Sequence, residues 1–119
     1  MNMDATEVID VEGVRRTVSG DTGLLAELVE LFDLEIPGLR SRLADALRAE
    51  DNKAIASAAH RLKGSLATLG ACCISTAEQL ELAAQRGGGD EVRDLARRLE
   101  GELDEVVPAL RALIQGGAL

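Results

Sequence analysis

Leu24, Leu28, Leu31, Phe32, Ile36, Leu39, Leu43 and Leu47 recur at intervals of three and four residues. This is the period of one face of an α-helix, and Asp21 or Thr22 opens the run. A second long run repeats the spacing through Val92, Leu95, Leu99, Leu103, Val106, Leu110 and Leu113. It follows the loop "GGGD", whose Asp90 can cap it. Two shorter helices are predicted between them. One starts at the turn "AEDNK", with Asp or Asn as N-cap, and ends near Gly70; the other spans about Cys72 to Arg86. "VEGVRRTV" predicts a short first helix ending at Gly20. Pro37 is expected to interrupt and bend the first long helix, and Pro108 offers a kink in the second. No segment shows strand alternation. The expected fold is all-α, an antiparallel four-helix bundle with a short extra N-terminal helix, in a single domain over residues 1–119.

Composition narrows how such a bundle is filled. Hydrophobic residues make up 46% of the chain and aromatic residues 1%, so Leu, Val, Ile and Ala must build the core around the single Phe32. The formal net charge of -8 opposes binding to a polyphosphate backbone, and no basic tract offsets it; nucleic acid is not an expected partner. The opening "MNMDATEVID" is polar and acidic, unlike a secretory leader, and no apolar stretch is long enough for a bilayer. A soluble cytoplasmic domain without a membrane partner is expected. Cys72 and Cys73 are adjacent and there is one histidine, so neither a disulfide framework nor a metal site is expected, and the cysteines read as small buried or half-buried residues.

The chemistry concentrates in "AAHRLKGSLATLGA", residues 58–71. On a helical wheel Ile55, Ala59, Leu62, Leu66 and Leu69 cluster within roughly 40° of one direction, whereas His60 lies roughly 140° away. His60 should therefore point into solvent, on a face shared with Lys53, Ala56, Lys63, Gly64 and Ala67. A glycine inside a helix costs on the order of 1 kcal/mol relative to alanine, and folding alone gains nothing from Gly64. With Ala56 and Ala67 it lowers the surface around the imidazole, and Lys63 brings a cation within reach. An accessible imidazole, a nearby ammonium and a cleared approach describe a nucleophile for an anionic group, phosphoryl above all.

"HRLKGSLATLGA" resembles the signature of the histidine-containing phosphotransfer (HPt) domain family, His-x-Leu-Lys-Gly-Ser/Ala followed by Gly-Ala. The likeness covers nearly the whole chain: "LFDLEIPGLRSRLADALRAED" is similar to the long helix before the phosphorylated one, and "AEQLELAA" to the helix after it. The resemblance implies a phosphocarrier that relays phosphoryl groups between aspartates of receiver domains, with a hybrid sensor histidine kinase upstream. It implies no ATP site, no autokinase activity and no cofactor of its own; the catalytic Mg²⁺ belongs to the receiver. By the same resemblance His60 is the phosphoacceptor, Lys63 stabilises the phosphoryl group and Gly64 leaves room for the receiver. Lys53, Ala56, Ser57, Arg61 and Ala67 are then the expected partner contacts of a monomer.

Two positions depart from the family pattern. Leu66 stands where a small residue is commoner, although the wheel puts it in the core. Many members also carry a Gln or Glu in the next helix that orients the imidazole. Strict spacing lands on Leu82, with Glu81 one residue off and Glu78 or Gln79 a turn earlier, so that role stays open. A histidine-kinase dimerisation domain usually has an acidic residue after its histidine and then a proline, against Arg61 and "LKGSLATLG" here. The phosphorylated domain of a chemotaxis kinase shares His-x-x-Lys-Gly, and a purely structural bundle is the alternative of a different class.

Overall fold

Three aspartates start three helices. Asp10, Asp21 and Asp51 sit in extended backbone, and each carboxylate accepts a hydrogen bond of 3.1 Å from the amide three residues on, at Gly13, Leu24 and Ala54. The computed structural model describes residues 8–116, in which the chain forms α1 (Val11–Val18), α2 (Thr22–Arg48), α3 (Asn52–Thr68), α4 (Ile74–Gln85) and α5 (Asp90–Gly116). Most of the N-terminal stretch read above for a leader lies outside the described residues. Among them no strand forms, and no helix is long and apolar enough to cross a membrane.

The bundle closes as a ring: α3 packs against α2 and α4, and α5 packs against α4 and back against α2. The described chain is thus the all-α bundle with an additional N-terminal helix. Arg40 ties α2 to α5 through Glu100 and through Asp104 at 2.9 Å, and Arg111 reaches Asp33 at 3.0 Å. Phe32, the single aromatic residue, is buried, as are Ile55, Ala59, Leu62 and Leu66 of α3 and Leu69 at its C-cap. Leu66, unusual for its position, is fully inside the core.

Four expectations need correction. Pro37 does not interrupt α2, and α5 runs on through Pro108. Both prolines are exposed, so the carbonyl left without its helical donor can face water. The buried stripe of α2 is Leu25, Val29, Phe32, Ile36, Leu39, Leu43 and Ala46, and Leu24 and Leu31 are exposed. Paired apolar residues, Leu24–Leu25, Leu28–Val29 and Leu31–Phe32, satisfy two helical stripes about 100° apart, and packing against the other helices selects one of them. Helix α4 begins at Ile74, two residues later than expected. Cys72 is therefore in the turn and exposed, while Cys73 is buried at the N-cap position of α4, where its side chain makes no capping hydrogen bond. Burial, together with Glu102, pushes the Cys73 thiol up to about 12, which leaves it protonated and unreactive near neutrality.

The segment before α1 is held over the α3–α4 turn by a short antiparallel bridge between Ile9 and Ala71. The Asp10 amide donates to the Gly70 carbonyl and the Cys72 amide to the Val8 carbonyl, both at 2.8 Å. Gly70 has φ +63°, and a Cβ there would stand 2.9 Å from Val14 Cγ2 and 3.3 Å from the Asp10 carbonyl oxygen. Glycine is thus required twice, by conformation and by close approach. Gly70→Ala is expected to destabilise the fold by roughly 1–3 kcal/mol, read as a lower melting temperature. An unchanged melting temperature would show that this clamp carries no stability.

Candidate functional site

Helix α3 carries the chain's only histidine and its only two lysines, and no aspartate or glutamate occurs from Asn52 through Ala77. The wheel placed His60 outside, and its side chain is 65% exposed. Lys53, one heptad before it, and Ala67, one heptad after it, are exposed on the same face, together with Ser57, Arg61 and Gly64; Ala56 is half-buried. A Cβ built on Gly64 meets nothing within 4 Å. No group of the described chain demands glycine there, in contrast to Gly70.

The residue that holds the imidazole is Glu81 of α4. Its Oε2 lies 3.0 Å from His60 Nδ1 and its Oε1 accepts a hydrogen bond of 3.1 Å from Lys63 Nζ. A carboxylate can only accept, so Nδ1 must carry the proton that is shared with it. In the neutral ring the lone pair is then on Nε2, the nitrogen turned away from Glu81. Glu81 is 16% exposed, and its two oxygens are each met by a different donor, which offsets the cost of drawing the charge from water. The other candidates turn elsewhere: Gln79 donates to Ser75 at 3.2 Å, Glu78 is exposed, and Leu82 is 44% exposed.

Packing of α4 decides this choice. Thr76, Ala77, Leu80, Ala83 and Ala84 form its buried face, so position 81 falls on the flank beside α3 and position 82 points outward. The alanines at 77, 83 and 84 were a legible signal of that face. The register of α4 against α3 was not, because nothing local specifies how far one helix slides along another.

Beside His60 an open trough of about 660 Å³ runs between α3 and α4 and is lined by Lys53, Ala56, Ser57, Glu81 and Gln85 among others. Lys53 and Arg61 form no ion pair with any described residue, whereas Arg40, Arg86, Arg93 and Arg111 are paired. A chain of net charge -8 therefore keeps free cations beside its histidine. Such an arrangement draws anions toward the ring.

The family model described as the Hpt domain matches residues 27–112. The chain belongs to the Hpt domain family. No curated protein and no solved structure matches it. Membership gives it a histidine phosphotransfer role in phosphorelays: Hpt domains are phosphocarriers without an ATP site of their own, and they work with receiver domains. The matched segment contains His60, Lys63 and Glu81, which meet between α3 and α4, and Gly64, one turn from His60.

Proposed function

We propose that the 119 residues act as one phosphocarrier domain that accepts a phosphoryl group on His60 Nε2 from a receiver aspartate and passes it to another receiver. One observation carries this reading: a family defined by histidine phosphotransfer is matched by a chain with a single histidine, exposed and backed by a carboxylate on Nδ1. In the forward step the Nε2 lone pair forms a bond to phosphorus while the acyl phosphate P–O bond breaks, and the aspartate leaves as a carboxylate. Glu81 holds the tautomer in which Nε2 is free and steadies the positive charge that the ring acquires as the N–P bond forms. Lys63, already poised by Glu81, turns to a phosphoryl oxygen. The supply of the phosphoryl group by a hybrid sensor kinase, a monomeric state and a cytoplasmic location belong to the same proposal.

The test is incubation of the purified domain with a phosphorylated receiver. An acid-labile, base-stable label on the domain is expected. No label from any receiver of the source organism would favour the purely structural bundle.

Lys63 separates chemistry from folding. Its side chain is 29% exposed, and among the described residues its one ion pair is with a carboxylate that His60 also satisfies. Lys63→Ala should slow transfer by about 10²-fold, as removal of one charge-stabilising donor does elsewhere, with a melting temperature nearly unchanged. An unchanged transfer rate would reduce Lys63 to a surface lysine.

A further inference from the structure

We infer that residues 8–10, anchored by Ile9, are the positioning element of the histidine site: they pin the start of α4 and so set the register that brings Glu81 to His60 Nδ1. This segment and α1 lie ahead of the stretch that the family model matches, which begins at residue 27 inside α2. They are nonetheless built into the core. Ile9 is fully buried, and Val8, Val14 and Val18 are buried with it.

Helices α1, α2 and α3 each begin with an aspartate whose carboxylate bonds the first turn, and α4 begins without one. Beyond the hydrogen bonds within the turn itself, this end of α4 is held by backbone from the other end of the chain. The Cys72 amide, one residue ahead of the N-cap, donates to the Val8 carbonyl, and the Gly70 carbonyl accepts from the Asp10 amide. Ile9 sits between these two bonds, opposite Ala71 in the bridge. Val14 of α1 closes over Gly70 on the same turn.

Packing of α4 by itself holds that register weakly. Its buried face is Thr76, Ala77, Leu80, Ala83 and Ala84, and a face with one large side chain presents shallow ridges to a neighbouring helix. Glu81 follows Ile74 by about two turns of the same stiff helix, so a slip at the start is carried to the site. One residue of slip is about 1.5 Å along the axis. That displacement takes the 3.0 Å contact with His60 Nδ1 and the 3.1 Å contact with Lys63 Nζ out of hydrogen-bond range. Ile9 therefore acts on the imidazole through Glu81.

The effect on rate rests on the phosphocarrier reading, whereas the tautomer of His60 is read without it. The experiment compares the full chain with Ile9→Ala and with Leu110→Ala, a buried truncation beside the Arg111–Asp33 pair that joins α5 to α2, each at the same interval below its melting temperature. In the neutral wild-type ring, nitrogen NMR shifts should report the tautomer protonated on Nδ1. Ile9→Ala should give a mixture of tautomers and slow the labelling of His60 by phosphoramidate about tenfold. Leu110→Ala should change neither. Glu81→Ala should slow labelling at least as much, and adding Ile9→Ala to it should slow labelling no further, as for residues that act as one unit. Where Ile9→Ala does not fold, Val14→Ala, a smaller truncation of the same clamp, carries the comparison. A wild-type tautomer in the clamp variant, an equal loss in Leu110→Ala, or effects that add in the double variant would overturn the inference. A ring that loses its tautomer as expected, in a chain that no donor phosphorylates, would overturn the phosphocarrier reading and leave the positioning role in place.

Discussion

His60→Gln is expected to abolish phosphoryl acceptance while leaving the fold intact. Glutamine has a comparable reach, and its amide can still donate to Glu81, but it offers no nucleophilic nitrogen with a free lone pair. With one histidine in the chain no other imidazole can substitute. The site is exposed, so the stability change should stay within about 0.5 kcal/mol. The measurement is acid-labile, base-stable label on the variant after incubation with phosphorylated receiver, beside a thermal melt. Label that persists at wild-type level would place the phosphoryl group elsewhere and would end the assignment of His60.

Gly64 should show the second-largest effect, and two substitutions separate its possible causes. Because a Cβ at this position meets nothing within 4 Å, Gly64→Ala fills open space and restricts the unfolded chain. It should stabilise the fold by roughly 0.5–1 kcal/mol. Gly64→Gln keeps the helix but raises a long side chain one turn from His60, where a receiver must approach to bonding distance. Transfer from phosphorylated receiver should fall by roughly 10²-fold, since even a 1 Å misplacement of reacting groups costs that much. Phosphoramidate, which needs no such clearance, should still modify the ring. The ratio of the two rates decides the question. Were both rates unchanged, the glycine would have no steric role; were both lost with the fold intact, the substitution would be acting on the imidazole itself.

The expected contrast between Gly64 and Gly70 is itself informative. Both belong to the stretch that resembles the family signature, Gly64 inside the predicted helix and Gly70 at its end. Gly70 is required by its own fold, through a positive φ and the nearness of Val14 and Asp10, so its substitution should be read in stability. Gly64 is required by nothing in the described chain, so its substitution should be read in transfer.

The sequence by itself determined the helices, the caps at Asp21 and Asp51 and the outward placement of His60, because these depend on short-range periodicity and on side chains bonding to backbone three residues away; Asp90, expected as a cap, is instead the first residue inside α5. The aspartates at 21 and 51 and the buried series from Ile55 to Leu69 stand where the pattern put them. Three matters needed the tertiary structure. The leucine pairs of α2 satisfied two helical stripes equally, and only packing chose the one through Leu25, Val29 and Phe32 and left Leu31 and Leu34 outside. The partner of the imidazole depended on the register of α4 against α3, a quantity with no local code, and it fell to Glu81 and not to the residue that strict spacing favours. The role of Glu81 as a bridge between His60 and Lys63 followed from the same docking of helices, since 21 residues of chain separate the carboxylate from the histidine and only the fold brings them to 3.0 Å.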